Sequence, residues 1–294
     1  MEDKTYLFIV NPISGNGKGS RMVGKIHEVM KDKKTVYRLE VTKAKGNAKE
    51  IAMNASEDII VAVGGDGTIN EVVNGIAQKK KVLGVIPSGT GNDFIRNLNI
   101  PVEADKAIEI ILKGKEKEIN IGKVFEHYFI NIASVGLDAQ IASEANTLKK
   151  HFNGTYAYIA ALIKVLFSFR YMKLVIKNSD KTYVLDTMLM AFCNGRSYGG
   201  GMKIAPEADM SDDLMDICIV KKMSKLKLLI LFPTIFKGKH LRFNEVEMMK
   251  TSKITLFIKD PLKINLDGEI FTISKEEYEF IDFKIFDHKI KVLC

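Results

Sequence analysis

Apolar positions along this chain follow two rhythms. Up to about residue 120 they gather in strand-length segments near 5–10, 35–42, 58–63, 81–86 and 118–124, and Ile59–Val63 is almost wholly apolar. Runs of this kind predict strands buried on both faces of a parallel sheet. Between them apolar residues recur at helical spacing, near 18–31, 46–55, 68–79 and 92–112; Ile69, Val72, Val73 and Ile76 stand at i, i+3, i+4 and i+7. The alternation predicts βαβ units. Glycine-rich turns follow the first, third and fourth strands. In an open α/β sheet such turns gather at the carboxyl ends of the strands, where ligands bind.

Beyond about residue 125 the rhythm changes. The segments "MKLVIKN", "TYVLDTMLMAFCN", "LMDICIVKK", "KITLFIK", "LKINLDG", "EIFTI" and "FKIFDHKIKVL" read as strands, many at hairpin spacing. Helical exceptions lie near 140–168 and 223–237, and no repeat or low-complexity linker intervenes. The predicted fold class is α/β plus mainly β. An N-terminal three-layer α/β domain with a parallel sheet spans 1–124, with 282–294 a candidate addition, and a C-terminal β-sandwich-like domain spans 125–281.

Composition narrows the class. With 46% hydrophobic and 27% charged residues, the chain reads as an ordinary soluble globular protein. Cys193, Cys218 and Cys294 fit neither a metal spacing nor a disulfide framework, which favours the reducing cytosol. The opening "MEDKTYLFIVNP" runs straight into a strand, so no signal peptide is expected. The apolar run "LKLLILFPTIF" (226–236) is too short to span a bilayer and contains Pro233. A net charge of +8 reads either as a lysine-rich solvated surface or as attraction to an anionic partner. No basic helix with interleaved aromatics is present, so nucleic acid is not the expected partner; an anionic membrane surface fits better.

Candidate chemistry sits in three turns. "NPISGNGKG" (11–19) lets backbone approach a ligand closely, and Asn11 and Ser14 can donate hydrogen bonds; it is neither a Walker A loop nor a GxGxxG helix opening. "GGDGTINE" (64–71) joins an apolar strand to a helix and leaves N–H groups free for an anion. Asp66 would repel that anion directly, and makes better sense with a cation between them. Thr68 and Glu71 have the spacing of a capping box, a purely structural role. "PSGTGND" (87–93) repeats the arrangement with Asp93, although Asn92 or Asp93 can also cap the helix that follows. Two neighbouring strand ends, each with free N–H groups and one aspartate, suggest a polyphosphate with Mg²⁺.

The set resembles the diacylglycerol kinase catalytic family, and most closely its soluble bacterial lipid kinases. "NPISG" (11–15), "GGDGTINEVVNG" (64–75), "PSGTGNDF" (87–94), "NGRSYGGGMKIAPEAD" (194–209) and "LDGE" (266–269) carry the resemblance, in the family's order over nearly the full length. GGDGT alone is shared with NAD kinases. The resemblance implies a nucleotide-binding N-terminal domain and an active site in the interdomain cleft. Asn11, Pro12, Ser14, Gly15, Thr42, Gly64, Gly65, Asp66, Gly67, Thr68, Glu71 and Thr90 would line the ATP site. Asp66 and Asp93 would join a water network around Mg²⁺. Glu269 would be the general base, with Asp267 beside it in the catalytic set. From the residues alone, Asp267-Gly268 is also a hairpin turn signal. The resemblance further implies a structural Mg²⁺ on "ADMSDDLMD" (208–216), held by the Asp212 carboxylate and the backbone carbonyls of Asp209 and Leu214. Here the family's Asp-Asp-Gly becomes Ser211-Asp212-Asp213, so a different turn is expected.

Residues 148–173 and 221–240 mix apolar bulk with lysines, as an interfacial membrane contact would; core helices with solvated ends would look similar. The five histidines are isolated and read as structural or surface residues. The expected activity is ATP-dependent phosphorylation of a lipid alcohol, first of all diacylglycerol, by a cytoplasmic protein peripheral to the inner face of the membrane. A homodimer stays open. The alternatives are an NAD kinase-like enzyme and a non-catalytic nucleotide-binding regulator.

Overall fold

Four of the expected strands become β1 (Tyr6–Val10), β2 (Tyr37–Val41), β3 (Ile59–Gly64) and β4 (Val82–Pro87), each paired in parallel with its neighbour. A computed structural model describes residues 4–31, 35–148 and 154–294, with backbone alone at 154–159. The chain forms two units, Met1–Ile121 with Asp287–Cys294, and Gly122–Phe286.

In the first unit the sheet order is β2-β1-β3-β4-β17-β5, where β17 (Ile290–Leu293) runs parallel to β4 and antiparallel to β5 (Glu116–Ile119). Every residue of β1, β3 and β4 is buried, because helices cover both faces. On one face α1 (Ser14–Lys31) and α5 (Ala104–Lys113) set Ile26, Met30, Ile108 and Ile111 against Phe8, Val10, Val61 and Ile86. Leu7, Ile9, Ile60 and Ala62 point the other way and are also buried. There α2 (Asn47–Met53) contacts β1 and α3 (Asp66–Ile76) contacts β3. Three layers result.

Three sequence expectations need correction. The helix expected over 92–112 is two, α4 (Asp93–Leu98) and α5, because Asn99 turns left-handed (φ 56°) and Pro101 follows. The run at 118–124 is divided between β5 and β6 (Gly122–Val124), which lie in different sheets. "FKIFDHKIKVL" divides likewise, between β16 (Phe280–Ile285) and β17. Residues 149–153 of the expected helical stretch and of the basic stretch 148–173 lie outside the described residues.

The second unit continues with β7 (His127–Phe129), β8 (Ile132–Gly136), α6 (Leu137–Leu148), α7 (Gly154–Ser168), β9 (Met172–Asn178), β10 (Lys181–Cys193) and β11 (Met215–Lys221). It goes on through α8 (Lys225–Leu231), two 3-10 turns, β12 (Val246–Thr251), β13 (Lys253–Phe257), β14 (Leu262–Leu266) and β15 (Glu269–Ile273) to β16. All of its strand pairs are antiparallel. The long β10 organises the sheet. Lys181–Thr187 pair with β9, whereas Leu189–Cys193 pair with β8 on one side and β11 on the other. The register shifts between Thr187 and Leu189, and such an irregularity bends a strand. Thr187 Oγ1 donates to the Val220 carbonyl at 2.6 Å across the shift.

Beyond it, Met190 and Phe192 enter one core, where the Phe192 and Phe283 rings stack with centroids 3.6 Å apart. Leu189, Ala191 and Cys193 enter a second core beneath α6, α7 and α8. Both faces are covered, so "MLMAFC" is continuously apolar rather than alternating. Among the described residues no helix is long and apolar enough to cross a membrane.

Candidate active site

In the first unit three loops meet at the carboxyl ends of β1, β3 and β4. The loop after β1 passes through three consecutive left-handed residues, Gly15, Asn16 and Gly17, with φ of 57°, 57° and 84°, before α1 winds regularly. A Cβ on Gly15 would lie 1.9 Å from the Ser88 carbonyl oxygen, and one on Gly89 would lie 2.4 Å from Gly65 Cα. Backbone thus presses on backbone where a side chain would not fit. Asn11 Nδ2 donates to Thr68 Oγ1 at 3.0 Å, Ser14 Oγ donates to the Asn11 carbonyl at 2.9 Å, and the Ser14 and Ser88 hydroxyls are bonded to each other. The Pro12 carbonyl accepts from Ser20 Oγ at 2.9 Å. Thr42 N donates to the Val10 carbonyl at 2.8 Å, beside the same strand end.

Helix α3 begins at Asp66, with Gly65 as its cap and no side chain on its first N–H groups. Those N–H groups have no carbonyl within the helix to bond, so the exposed Gly67 and its neighbours offer donors to an anion. Asp66 Oδ1 accepts from Phe94 N at 2.9 Å, in the first turn of α4. The buried Asp93 is held through Oδ1 by Arg96 Nη1 at 3.0 Å. Gly91 stands between the two carboxylates. A Cβ there would lie 2.7 Å from Asp66 Oδ2 and 3.7 Å from Asp93 Oδ2. Two acidic oxygens facing one side-chain-free flank suit a hard cation and its waters. Thr90 is exposed beside them.

The capping box is not formed. Because α3 starts two residues before Thr68, that hydroxyl is free to accept from Asn11. Glu71 reaches across to α2, where its two oxygens accept from Gly46 N at 2.9 Å and Ala48 N at 3.1 Å. Glu71 therefore caps a neighbouring helix.

In the second unit Asp267 and Gly268, with φ of 48° and 96°, form the two-residue turn of the β14–β15 hairpin, and Glu269 opens β15 opposite Leu266. The Asp267 carboxylate accepts from Ile130 N (2.6 Å), Asn131 N (3.0 Å) and Ile132 N (2.9 Å). The other side of that loop is held by the 194–209 motif: Asn194 Nδ2 donates to the Ile130 carbonyl at 2.7 Å, and Asn194 N and Gly195 N donate to the Asn131 carbonyl at 2.9 Å. The turn has a second anchor that the sequence reading missed. Gly268 N donates to Asn265 Oδ1 at 2.7 Å, and Asn265 Nδ2 donates to the buried Asp138 at 3.0 Å. Asp138 also accepts from Ser134 Oγ at 2.5 Å and Tyr198 OH at 2.7 Å. A signal was present: "IASVGLDAQI" repeats the strand, glycine, aspartate, helix order of the GGDGT turn. Ser88 was missed too, because it looks like an ordinary turn serine until Gly15 lies against it.

The acidic loop at 208–216 is tied elsewhere. Asp209 Oδ1 accepts from Ser211 N at 2.9 Å, and Asp212 Oδ1 accepts from Leu214 N at 3.1 Å. Asp213 takes φ 64°, so an aspartate adopts the left-handed turn a glycine would make. Asp212 Oδ2 lies 3.1 Å from Lys250 Nζ, which also pairs with the buried Asp216 at 3.3 Å. Burial raises the Asp216 pKa against the pull of Lys250. The Lys250 ammonium already pairs with Asp212 and Asp216, and a metal on the Asp212 carboxylate would have to compete with it. Among the described residues no group of three or more His, Cys, Asp or Glu side chains is arranged to hold a metal. Any cation must therefore take ligands from backbone, phosphate or water as well. Burial pushes the Cys193 and Cys218 thiols up, Cys218 to about 12, so neither is a nucleophile near neutral pH.

Residues 5–124 match the diacylglycerol kinase catalytic domain, and residues 131–279 match the YegS C-terminal NAD kinase beta sandwich-like domain. The diacylglycerol kinase of Bacillus subtilis is 32% identical over 272 residues, 90% of each chain. That of Staphylococcus aureus (strain MRSA252) is 32% identical over 273 residues, 90% of this chain and 86% of its own. Among solved structures, a diacylglycerol kinase from Bacillus anthracis matches with a TM-score of 0.74 at 20% identity, covering 99% of this chain and 96% of that one. At that identity the likeness shows the fold alone.

Proposed function

This chain is a kinase that belongs to the diacylglycerol kinase family, and from that premise we propose that it transfers the γ-phosphate of ATP to the hydroxyl of a membrane lipid, with diacylglycerol as acceptor and phosphatidic acid as product. The observation that carries this reading is the pair Asp66 and Asp93, aimed at the bare flank of Gly91 among loops that expose backbone donors. The N–H groups at the start of α3 would bind phosphate oxygens, with Asn11, Ser14, Thr42 and Thr90 around them. Asp66 and Asp93 would hold a divalent cation, Mg²⁺ in our reading, through water; when bound it supplies charge neutralisation to the phosphates.

Glu269 would accept the proton of the lipid hydroxyl as that oxygen bonds to the γ-phosphorus and the bond to the bridging oxygen of ADP breaks. Asp267 is a positioning residue in this reading: its carboxylate fixes the turn that presents Glu269. The acceptor belongs to a bilayer and ATP to the cytoplasm, so the enzyme we propose works as a peripheral protein at the cytoplasmic face. Purified protein, labelled ATP, a divalent cation and diacylglycerol in mixed micelles should give labelled phosphatidic acid. Absence of label across a panel of lipid alcohols would reject the reading. The match of the second unit to an NAD kinase-like sandwich supports one alternative acceptor, a soluble nucleotide; label on NAD without detergent would select it.

A further inference from the structure

A carboxylate is kept in a protein interior only where donors surround it, and Asp138, 3% exposed, meets donors from three separate elements. It stands in the first turn of α6. Ser134 Oγ (2.5 Å) and Asn265 Nδ2 (3.0 Å) donate to its Oδ2, and Tyr198 OH (2.7 Å) donates to its Oδ1. Ser134 and Asn265 face each other in the register of β8 and β14, so one strand pair presents two donors to the same oxygen. Tyr198 comes from the loop after β10. The reaction as read so far uses none of these four side chains.

An ionised carboxylate only accepts hydrogen bonds. Asp138 therefore turns the Asn265 amide so that its NH2 faces the carboxylate and its oxygen faces the β14–β15 turn, where it accepts from Gly268 N at 2.7 Å. With the amide reversed, NH2 would meet N–H at Gly268, and oxygen would meet oxygen at Asp138. Through one amide, Asp138 thus sets the bond that holds the residue before Glu269. A second residue of the same helix, roughly two turns further on, grips the same glycine: Asn146 Nδ2 donates to the Gly268 carbonyl at 3.3 Å. A Cβ on Gly268 would meet nothing within 4 Å, so no packing on that flank holds the residue, and the two amides do. These contacts are separate from those of Asp267, which tie the turn to residues 130–132. We propose that Asp138 and Asn265 are positioning residues for phosphoryl transfer. Asp138 orients the Asn265 amide, Asn265 fixes the Gly268 N–H, and Glu269 is thereby held at the angle from which it takes the acceptor's proton. This rests on the reading of Glu269 as the general base.

The test reads geometry apart from stability. Wild type, Asn265→Ala and the exchange variant Asp138→Asn/Asn265→Asp are assayed for lipid phosphorylation, with turnover counted per nucleotide-binding site so that only folded protein enters. Asn265→Ala should lower kcat by about 10²-fold, the scale of a misplaced reacting group, with the KM for ATP unchanged. The exchange variant re-forms one amide–carboxylate pair in reverse and still offers Gly268 N an acceptor, so kcat should return to within about tenfold of wild type. In a Glu269→Gln background Asn265→Ala should cost nothing further, because an absent base cannot be misplaced. Tyr198→Phe removes one hydroxyl from Asp138 and should give the same split between kcat and KM at about threefold; it decides the case if the Asn265 variants do not fold. A wild-type kcat in Asn265→Ala, or in Tyr198→Phe where that variant decides, would overturn the proposal. So would an equal loss with and without Glu269→Gln, the mark of a structural contact alone. Glu269→Gln at the wild-type rate would instead fail the general-base reading, and the proposal with it, whereas a slow Glu269→Gln beside a normal Asn265→Ala would overturn the positioning role only. No turnover of any lipid alcohol by wild type would remove the kinase reading and this proposal together.

Discussion

Asp66 and Asp267 each stand in a glycine turn next to a strand, and each uses its carboxylate on backbone N–H groups. They differ in what is left over. Asp66 engages one N–H through Oδ1, and among the described residues its Oδ2 accepts nothing while facing the flank of Gly91 with Asp93. Asp267 has both oxygens on the N–H groups of Ile130, Asn131 and Ile132. The same residue type in a similar turn thus keeps one oxygen open in the first unit and is a clamp in the second. An aspartate beside a glycine indicates chemistry only when an oxygen remains for it.

The largest effect should separate the two carboxylates of one turn. Glu269→Gln should lower lipid phosphorylation by about 10²–10⁴-fold, the range for a lost general base, with the thermal midpoint unchanged. Normal turnover by this variant would remove Glu269 from the mechanism. Asp267→Asn should instead lower stability by about 2–4 kcal/mol, because an amide cannot accept from all three N–H groups. Denaturant titration checks this; a native midpoint would mean the clamp is not needed. Glu71→Gln tests whether that residue sides with Asp267. It should cost about 1–2 kcal/mol through one lost bond at the start of α2 and leave nucleotide affinity alone. Weaker nucleotide binding at native stability would return Glu71 to the ligand set.

The smallest effect isolates a buried neutral group from the carboxylates. His240 Nε2 donates to the Ile204 carbonyl at 3.0 Å, and burial holds the ring pKa below 6.5. For a depressed pKa the contribution to stability is present above 6.5 and is lost as pH falls from there through the folded value. Wild type should therefore lose stability over that window and His240→Gln should not; parallel pH profiles would assign the loss elsewhere.

What could be read from the sequence follows the same divide. In the first unit, strand ends and glycine loops were legible because a parallel sheet writes its central strands, β1, β3 and β4, as nearly unbroken apolar runs. The break at Asn99 was not, since an asparagine in the left-handed region leaves no periodic trace. The division of 118–124 was hidden because Ile119, Ile121 and Val124 are buried although β5 and β6 belong to different sheets. The Thr68–Glu71 spacing was real, but where α3 begins depends on Gly65 and Asp66. In the second unit most strands were legible and their order was not, because β10 changes partner at Thr187. The buried Asp138 went unread because its partners Ser134, Tyr198 and Asn265 are far apart in the chain and meet only after folding.

The contrast between the two aspartates is tested most directly by titrating the divalent cation in the lipid phosphorylation assay, with wild type, Asp66→Asn and Asp267→Asn. Asp66→Asn should need about tenfold or more cation for half its maximal rate while keeping a native thermal midpoint. Asp267→Asn should keep the wild-type cation requirement in whatever fraction remains folded. An Asp66→Asn enzyme with the wild-type requirement, or the larger shift in Asp267→Asn, would contradict the account.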